Sequence, residues 1–341
     1  MVANLKLLKI FISVIAVCPS TLHKRKLVQL MNQYYIVIWM CIVLYFLIFR
    51  GSFLMLKTLN FQILNVACRI CEFALTITLT SVITKDQSKT LKLVMRLEDI
   101  WKRLKCDSKL FIHFGKFFVI WLGIVVLKCT ITLYLNNYSL SIFIITCIVY
   151  IRISWFWTTI VLTLFEFSNQ WKMFNRKLKF VTKLTDVNEL QATQTKIFHV
   201  IDDFNDIFGK IIFWTILTGT VLVINNICQL FGFHKTIGSN QHWMLTVDVF
   251  LVQMYVVAMV LLADRLALET EKTIEICHKK SQDVCIADRK QNLFIKIALQ
   301  THFKNMKIHA CGFFDVDNST LVFIICTVCT YVTVIFQTIS S

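Results

Sequence analysis

The chain closes on STLVFIICTVCTYVTVIFQTISS, residues 319–341, and the reading of this stretch decides the fold. It runs without a charge or a proline for the roughly 20 residues a helix needs to cross about 30 Å of hydrocarbon. Yet Thr327, Tyr331, Val334 and Thr338 recur at spacings of 4, 3 and 4, which is one helical face, and Gln337 borders it. A solitary helix would leave those hydroxyls and that amide in lipid. Two arrangements cover them. Either the face packs inside one chain, or several copies around a symmetry axis turn it towards a shared aqueous lumen. Periodicity alone leaves both open.

Outward from that stretch, runs of the same kind recur at about 33–50, 61–83, 114–135, 140–166, 211–232 and 244–263, so the sequence predicts seven spans, the last at 319–339. The first has Tyr34 and Tyr35 at one end and Arg50 at the other, residues that anchor a helix at the interface. With 57% of its 341 residues hydrophobic, the chain holds far more apolar surface than a soluble core of that size takes up. The predicted fold class is all-α, a seven-transmembrane helical membrane protein, expected as a multi-pass protein of the plasma membrane. An earlier apolar run, LLKIFISVIAV at 7–17, resembles a signal-peptide core, but it is short, Lys9 interrupts it, and Lys24, Arg25 and Lys26 follow closely. It reads better as an amphipathic helix on the inner membrane surface.

The net charge of +16 sorts by side. Lys and Arg number five in the N-terminal arm, eight in the second connection, seven in the fourth and nine in the sixth, against two, none and one in the first, third and fifth. By the positive-inside rule the N-terminus is cytoplasmic and the C-terminus outside, an inverted topology. The basic excess then serves orientation, with membrane lipids as its partner and no nucleic acid. The inner connections are long and helical in pattern, whereas the outer ones are short. Residues 264–306 contain no Pro or Gly and carry the helical charge pairs Glu269 with Lys272 and Glu275 with Lys279. An apolar stripe at Leu293, Ile297 and Phe303 predicts packing against another helix or subunit. With 167–210, this region is expected to form a cytoplasmic helical bundle. The organisation reads as a cytoplasmic N-terminal segment 1–32, six spans with a pocket and inner helical loops at 33–263, a cytoplasmic helical anchor at 264–318, and the last span with its extracellular tail at 319–341.

Ionisable and amide groups inside spans are costly, so each is a candidate for function. Arg69 and Glu72 lie three apart on the second span, where they suit a local ion pair or a pocket wall. Arg152 lies near the middle of the fourth span between Tyr150 and Trp155 and needs a cavity or an acidic partner. Asn226 and Gln229 sit at the outer end of the fifth span, and Asp248, Gln253 and Tyr255 lie on the sixth. In the predicted orientation these residues share one layer. A small-molecule pocket among spans two to six, open to the outside, accounts for them; interhelical polar contacts account for them too.

Other classes fit less well. Thirteen cysteines include CRIC and CTVC, but both lie in apolar helical runs with no second pair or His at zinc spacing, so no metal site is predicted. No enzyme signature such as His-Glu-x-x-His, a nucleophile elbow or a phosphate loop occurs, and no cofactor is expected. A transporter would show an internal repeat or paired broken helices. A metabotropic receptor coupled to G proteins has the opposite orientation, and ADRL at 263–266 lacks the Tyr of the receptor signature it faintly matches. Both remain as alternatives.

The segment GFFDVDNSTLVFIICTVCTYVTVIFQ resembles the C-terminal signature of insect gustatory receptors through Gly312, Phe313, Phe314, Asp317, Thr330, Tyr331 and Gln337. Residues 4–22 resemble the family's N-terminal segment, and the inverted seven-span plan agrees over the full length. The resemblance implies a taste receptor that is itself a ligand-gated, non-selective cation channel, assembled as a homo- or heterotetramer and opened by small tastants. Val334, Gln337, Thr338 and Tyr331 match positions facing the pore near its outer gate. Two departures refine the expectation. Thr338 stands where a large apolar residue is usual, and Val332 stands where the sugar-sensing branch tends to carry Glu, which turns the expected ligand towards bitter or other non-sugar compounds.

Overall fold

Proline is absent beyond position 19 and the chain has only eight glycines, so little in the sequence interrupts a helix once begun. The computed structural model describes residues 59–85, 87–104, 123, 130, 140–232, 239–282, 288–304 and 306–340. The N-terminal arm, the expected first span and nearly all of the third lie outside the described residues. The second span is α1 (Leu59–Lys85), followed by α2 (Gln87–Leu104). Three long helices then follow: α3 (Leu140–Phe180), α4 (Leu184–Gly232) and α5 (Ser239–Ser281), of 41, 49 and 43 residues. At 1.5 Å per residue each is about 60–75 Å long, twice the bilayer core. A short helix α6 (Asp288–Phe303), a two-stranded hairpin and the last helix α7 (Asn318–Ser340) complete the chain.

The helical stretches expected at 167–210 and after 263 are therefore continuous with the helices read as spans, apart from the short break at 181–183. No Pro or Gly falls at the membrane edge of α3 or α5 to separate them. The boundary expected at 263/264 lies inside the continuous helix α5 and is not a break in the chain.

The distal halves pack around an aromatic spine. Phe167 meets Phe204 edge-on at 5.3 Å, Trp171 lies 5.7 Å from Phe198, and Phe204 and Phe208 are 5.0 Å apart. Each of these rings is almost fully buried, contributing roughly 1.5–3 kcal/mol by burial. Polar ties fix the helix pairing. Trp171 Nε1 donates to Thr273 Oγ1 at 2.7 Å, Thr273 donates in turn to Asn175 Oδ1 at 2.6 Å, and Asn175 Nδ2 donates to the Glu269 carbonyl at 2.7 Å. Gln194 Nε2 on α4 donates to Thr301 on α6 at 2.7 Å. At the surface, Asp99 of α2 accepts from Lys196 of α4 at 2.6 Å and from Arg103 at 3.3 Å, and those cations hold its carboxyl below the usual range. Lys272 pairs with Glu269 at 2.8 Å, one of the two charge pairs read from the sequence. On α6, Leu293 and Ile297 pack inward beside Phe294, but Phe303 is 78% exposed. The expected stripe therefore splits, with one part serving the chain's own core and the other facing away.

The hairpin sets where the last helix starts. Strands β1 (His309–Ala310) and β2 (Phe314–Asp315) pair antiparallel, and Phe313 N closes the turn on the Ala310 carbonyl at 3.0 Å. Cys311 and Gly312 both adopt positive φ, 57° and 75°, within the three-residue connection 311–313 between the paired Ala310 and Phe314. Gly312 costs nothing there, while Cys311 is held by its surroundings. Asn205 of α4 clamps the first strand, donating to the Lys307 carbonyl at 3.0 Å and accepting from His309 N at 3.2 Å. Phe313 stacks on Phe213 of α4 at 5.0 Å. Burial raises the Asp315 carboxyl, but the hydrogen bond and charge of Lys307 at 2.6 Å, with His309 at 2.7 Å, outweigh it and hold the group below its ordinary value. Asp317 Oδ1 caps α7 by accepting Ser319 N at 3.0 Å and Thr320 N at 3.3 Å. Asn318 Nδ2 reaches Asp264 of α5 at 2.8 Å, so the ADRL stretch serves to seat α7.

Candidate functional site

Two places gather the residues that the sequence singles out. The first is a buried layer where α3, α4 and α5 meet. Tyr255 of α5 is 3% exposed and its hydroxyl lies 2.9 Å from Thr158 Oγ1 of α3. Thr158 donates its own proton to the Ser154 carbonyl at 2.7 Å, so Tyr255 is the donor of that pair. Trp157 donates from Nε1 to Thr215 Oγ1 of α4 at 2.9 Å, and its ring lies 5.1 Å from that of Tyr255 at 45°. One turn along α4, the Gly219 carbonyl accepts from Gln253 Nε2 at 2.8 Å. The glycine permits this approach: a Cβ there would sit 3.1 Å from that amide nitrogen and 3.2 Å from Val252. Three helices are thus tied at one level by aromatic rings and hydroxyls, with no charged side chain in the knot among the described residues.

Beside and beyond Gly219 on α4 lie two groups of another kind. Thr218 Oγ1 and Asn226 Oδ1 are buried and have no hydrogen-bond partner among the described residues. Buried polar atoms in that condition lose free energy until something supplies a hydrogen. A small molecule carrying a donor meets that need, and so does an enclosed water.

Of the pocket residues read from the sequence, the structure brings Gln253 and Tyr255 into one layer and sets Asn226 on the adjoining face of α4. Glu72 is half-buried on α1. The backbone carries Arg69 on α1, Tyr150, Arg152 and Trp155 on α3, Gln229 on α4 and Asp248 on α5; their side chains lie outside what is described. Sequence reasoning missed Trp157, Thr158, Thr215 and Gly219. Their signal was present in WFWTT at 155–159, where an aromatic run meets two hydroxyls in mid-span, and in the T-x-x-x-G of α4.

The second place is α7. Leu321, Ile324, Val328 and Ile335 pack against the rest of the chain. Of the apolar window long enough to cross the membrane, only 11% is buried, against 67% for the corresponding window of α4. Tyr331 is 57% and Val334 49% exposed, and Gln337 is exposed; the Thr338 side chain lies outside what is described.

The comparisons with known proteins agree with this architecture. A family model described as 7tm chemosensory receptor matches residues 5–340. The fold is similar to that of the insect olfactory receptor OR5 from Machilis hrabei in complex with eugenol, with a TM-score of 0.68 and 13% identity over 97% of this chain and 98% of that one. A second structure of that receptor gives a TM-score of 0.64, at the same identity and coverage. No curated protein matches in sequence. The fold is thus that of a seven-transmembrane helical membrane protein, and the chain belongs to the 7tm chemosensory receptor family.

Proposed function

We propose that this chemosensory receptor is a gustatory receptor and that it works as a ligand-gated, non-selective cation channel. Small-molecule tastants of the bitter or other non-sugar kind open it. The observation that carries the reading is the last helix: apolar enough to cross, capped and seated by the hairpin, yet almost unburied within its own chain while carrying Thr, Tyr and Gln. A homo- or heterotetramer gives that face a shared lumen, with Tyr331, Val334, Gln337 and Thr338 at the gate. The receptor family is not a family of enzymes, and the reading calls for no cofactor.

The ligand binds in the buried layer around Tyr255, Gln253 and Asn226, with Arg69, Glu72, Tyr150, Arg152, Trp155, Gln229 and Asp248 as further wall residues. The similar structure with eugenol supports a small-molecule site of this kind. Gating needs only that the ligand bind the open state a few kcal/mol more tightly than the closed one, and α4 carries both ligand-site residues and the Asn205 and Phe213 contacts that hold the hairpin at the base of α7. The N-terminus lies in the cytoplasm and the tail outside, at the plasma membrane.

The test is electrical. Cells expressing the chain, alone and with other gustatory receptors, are expected to pass tastant-evoked cation current that persists when G-protein signalling is blocked. Current abolished by that block would assign the metabotropic mechanism instead.

A further inference from the structure

We propose that a second line on α7, formed by Cys326, Thr330, Thr333 and Gln337, is the wall of the conduit below its outer gate and presents oxygen and sulfur atoms to hydrated cations. The inference rests on the channel reading above. It comes from how the structure turns the helix. At 100° per residue, the packed line through Leu321, Ile324, Val328 and Ile335 lies about 180° from this polar line. The face first read from the sequence, through Thr327, Tyr331 and Val334, lies about a quarter turn from each; Thr327 is half-buried, while Tyr331 and Val334 are 57% and 49% exposed. All four residues of the polar line are exposed, so it points most directly away from the rest of the chain.

The hydroxyls on that line have a fixed sense. Thr330 donates to the Cys326 carbonyl at 2.8 Å and Thr333 to the Cys329 carbonyl at 2.8 Å. With each proton committed to the helix's own backbone, each oxygen faces outward as an acceptor. Copies of this line around an axis would stack rings of hydroxyl oxygens above a ring of thiols, a lining that attracts cations and offers anions only the weak S–H donors until the Gln337 amide. Nothing in such a wall distinguishes one monovalent cation from another by a tight cage, which suits a non-selective channel. The outer end of α7 carries the gate residues, so Cys326, eight residues from the start of the helix, lies in the inner half and meets water from the inner side even when the gate is closed.

The native cysteines supply the experiment. The full chain is reconstituted in lipid nanodiscs and treated with a membrane-impermeant cationic methanethiosulfonate, and the modification rate of each cysteine is followed by peptide mass spectrometry. Cys311, exposed at the hairpin turn outside the span, gives the rate of a freely accessible thiol. Cys277, fully buried with its thiol pushed up to about 12, gives the rate of a closed one. Cys326 is expected within about tenfold of Cys311, and Cys329, off the line, at least about tenfold slower than Cys326. Cys326 as inert as Cys277 would overturn the proposal, because lipid or a neighbouring helix would then cover the line. Tastant-evoked current from the same purified chain, fused into a planar bilayer, separates the two ideas. Current with an inert Cys326 sinks this inference alone, whereas no current and an inert Cys326 sink the channel reading with it.

Discussion

Replacing Gly209 by Ala tests how tightly the hairpin is set against α4. An added Cβ would sit 3.0 Å from the His309 carbonyl oxygen and 3.1 Å from Cys311 N, both backbone atoms of the hairpin, which have no rotamer to change. The strand must therefore move. Moving it strains the two Asn205 bonds, each contributing about 0.5–1.5 kcal/mol, and the Phe213–Phe313 stack, with about 0.5–1.5 kcal/mol beyond its burial. Helix propensity works the other way, because Ala at a helix interior gains about 1 kcal/mol over Gly. The balance is a loss of about 1–3 kcal/mol, read as a fall of roughly 2–6 °C in the unfolding temperature of the purified receptor. Gly219→Ala is the comparison. Its new Cβ meets only side-chain atoms, the Gln253 amide at 3.1 Å and the Val252 and Val256 methyls at 3.2 and 3.3 Å, so its loss is expected to be the smaller of the two. Tryptophan fluorescence on heating, in nanodiscs, measures both. A Gly209→Ala receptor as stable as the parent would refute the claim that the hairpin is pinned there.

Three further outcomes follow from single contacts. Thr273→Val leaves the buried Trp171 N–H without its acceptor and Asn175 Oδ1 without its donor, and should cost about 1–3 kcal/mol; adding Asn175→Leu should cost less than the sum, because the two share one network. The Asp315 carboxyl is held below its unfolded value, so its stabilisation is fully present above the ordinary carboxylate pKa near 4 and fades as pH falls through the lower folded value. Asp315→Asn should flatten that acid limb of the unfolding profile and leave the neutral region without such a slope. Tyr255→Phe removes the donor to Thr158, and should raise the tastant concentration for half-maximal current about three- to tenfold with little change in surface expression, a split that a merely misfolded receptor would not show.

Much of the architecture was legible because membranes impose a coarse, one-dimensional code. Length and apolarity marked α1, α3, α4, α5 and α7, and the shortage of Pro and Gly marked the helical stretches between them. What stayed hidden depends on contacts far apart in sequence. The hairpin gives no strand-like alternation in four paired residues; it exists because Gly312 tolerates its φ and because Asn205 and Phe213, about a hundred residues earlier, hold its strand and its turn. The recognition motif was visible as letters, but its physical sense was not: Gly312 makes the turn, Phe313 stacks, and Asp317 caps. Likewise Tyr255 was legible as a polar group in a span, while its partners Trp157 and Thr158 were not, since periodicity says which face a residue takes and not what stands opposite. The direction in which α7 points was ambiguous by about a quarter turn, because Thr and Cys count alike on a hydropathy scale whether they face lipid, protein or water.

The central claim is that the last helices of several copies enclose an aqueous conduit. Electron cryo-microscopy of the full chain purified into nanodiscs tests it most directly. The account predicts four copies around one axis, with α7 innermost, Gln337 nearest the axis at the gate and the C-termini on the outer side. A single copy, or an assembly whose α7 helices face lipid or are sealed away from any central path, would contradict it.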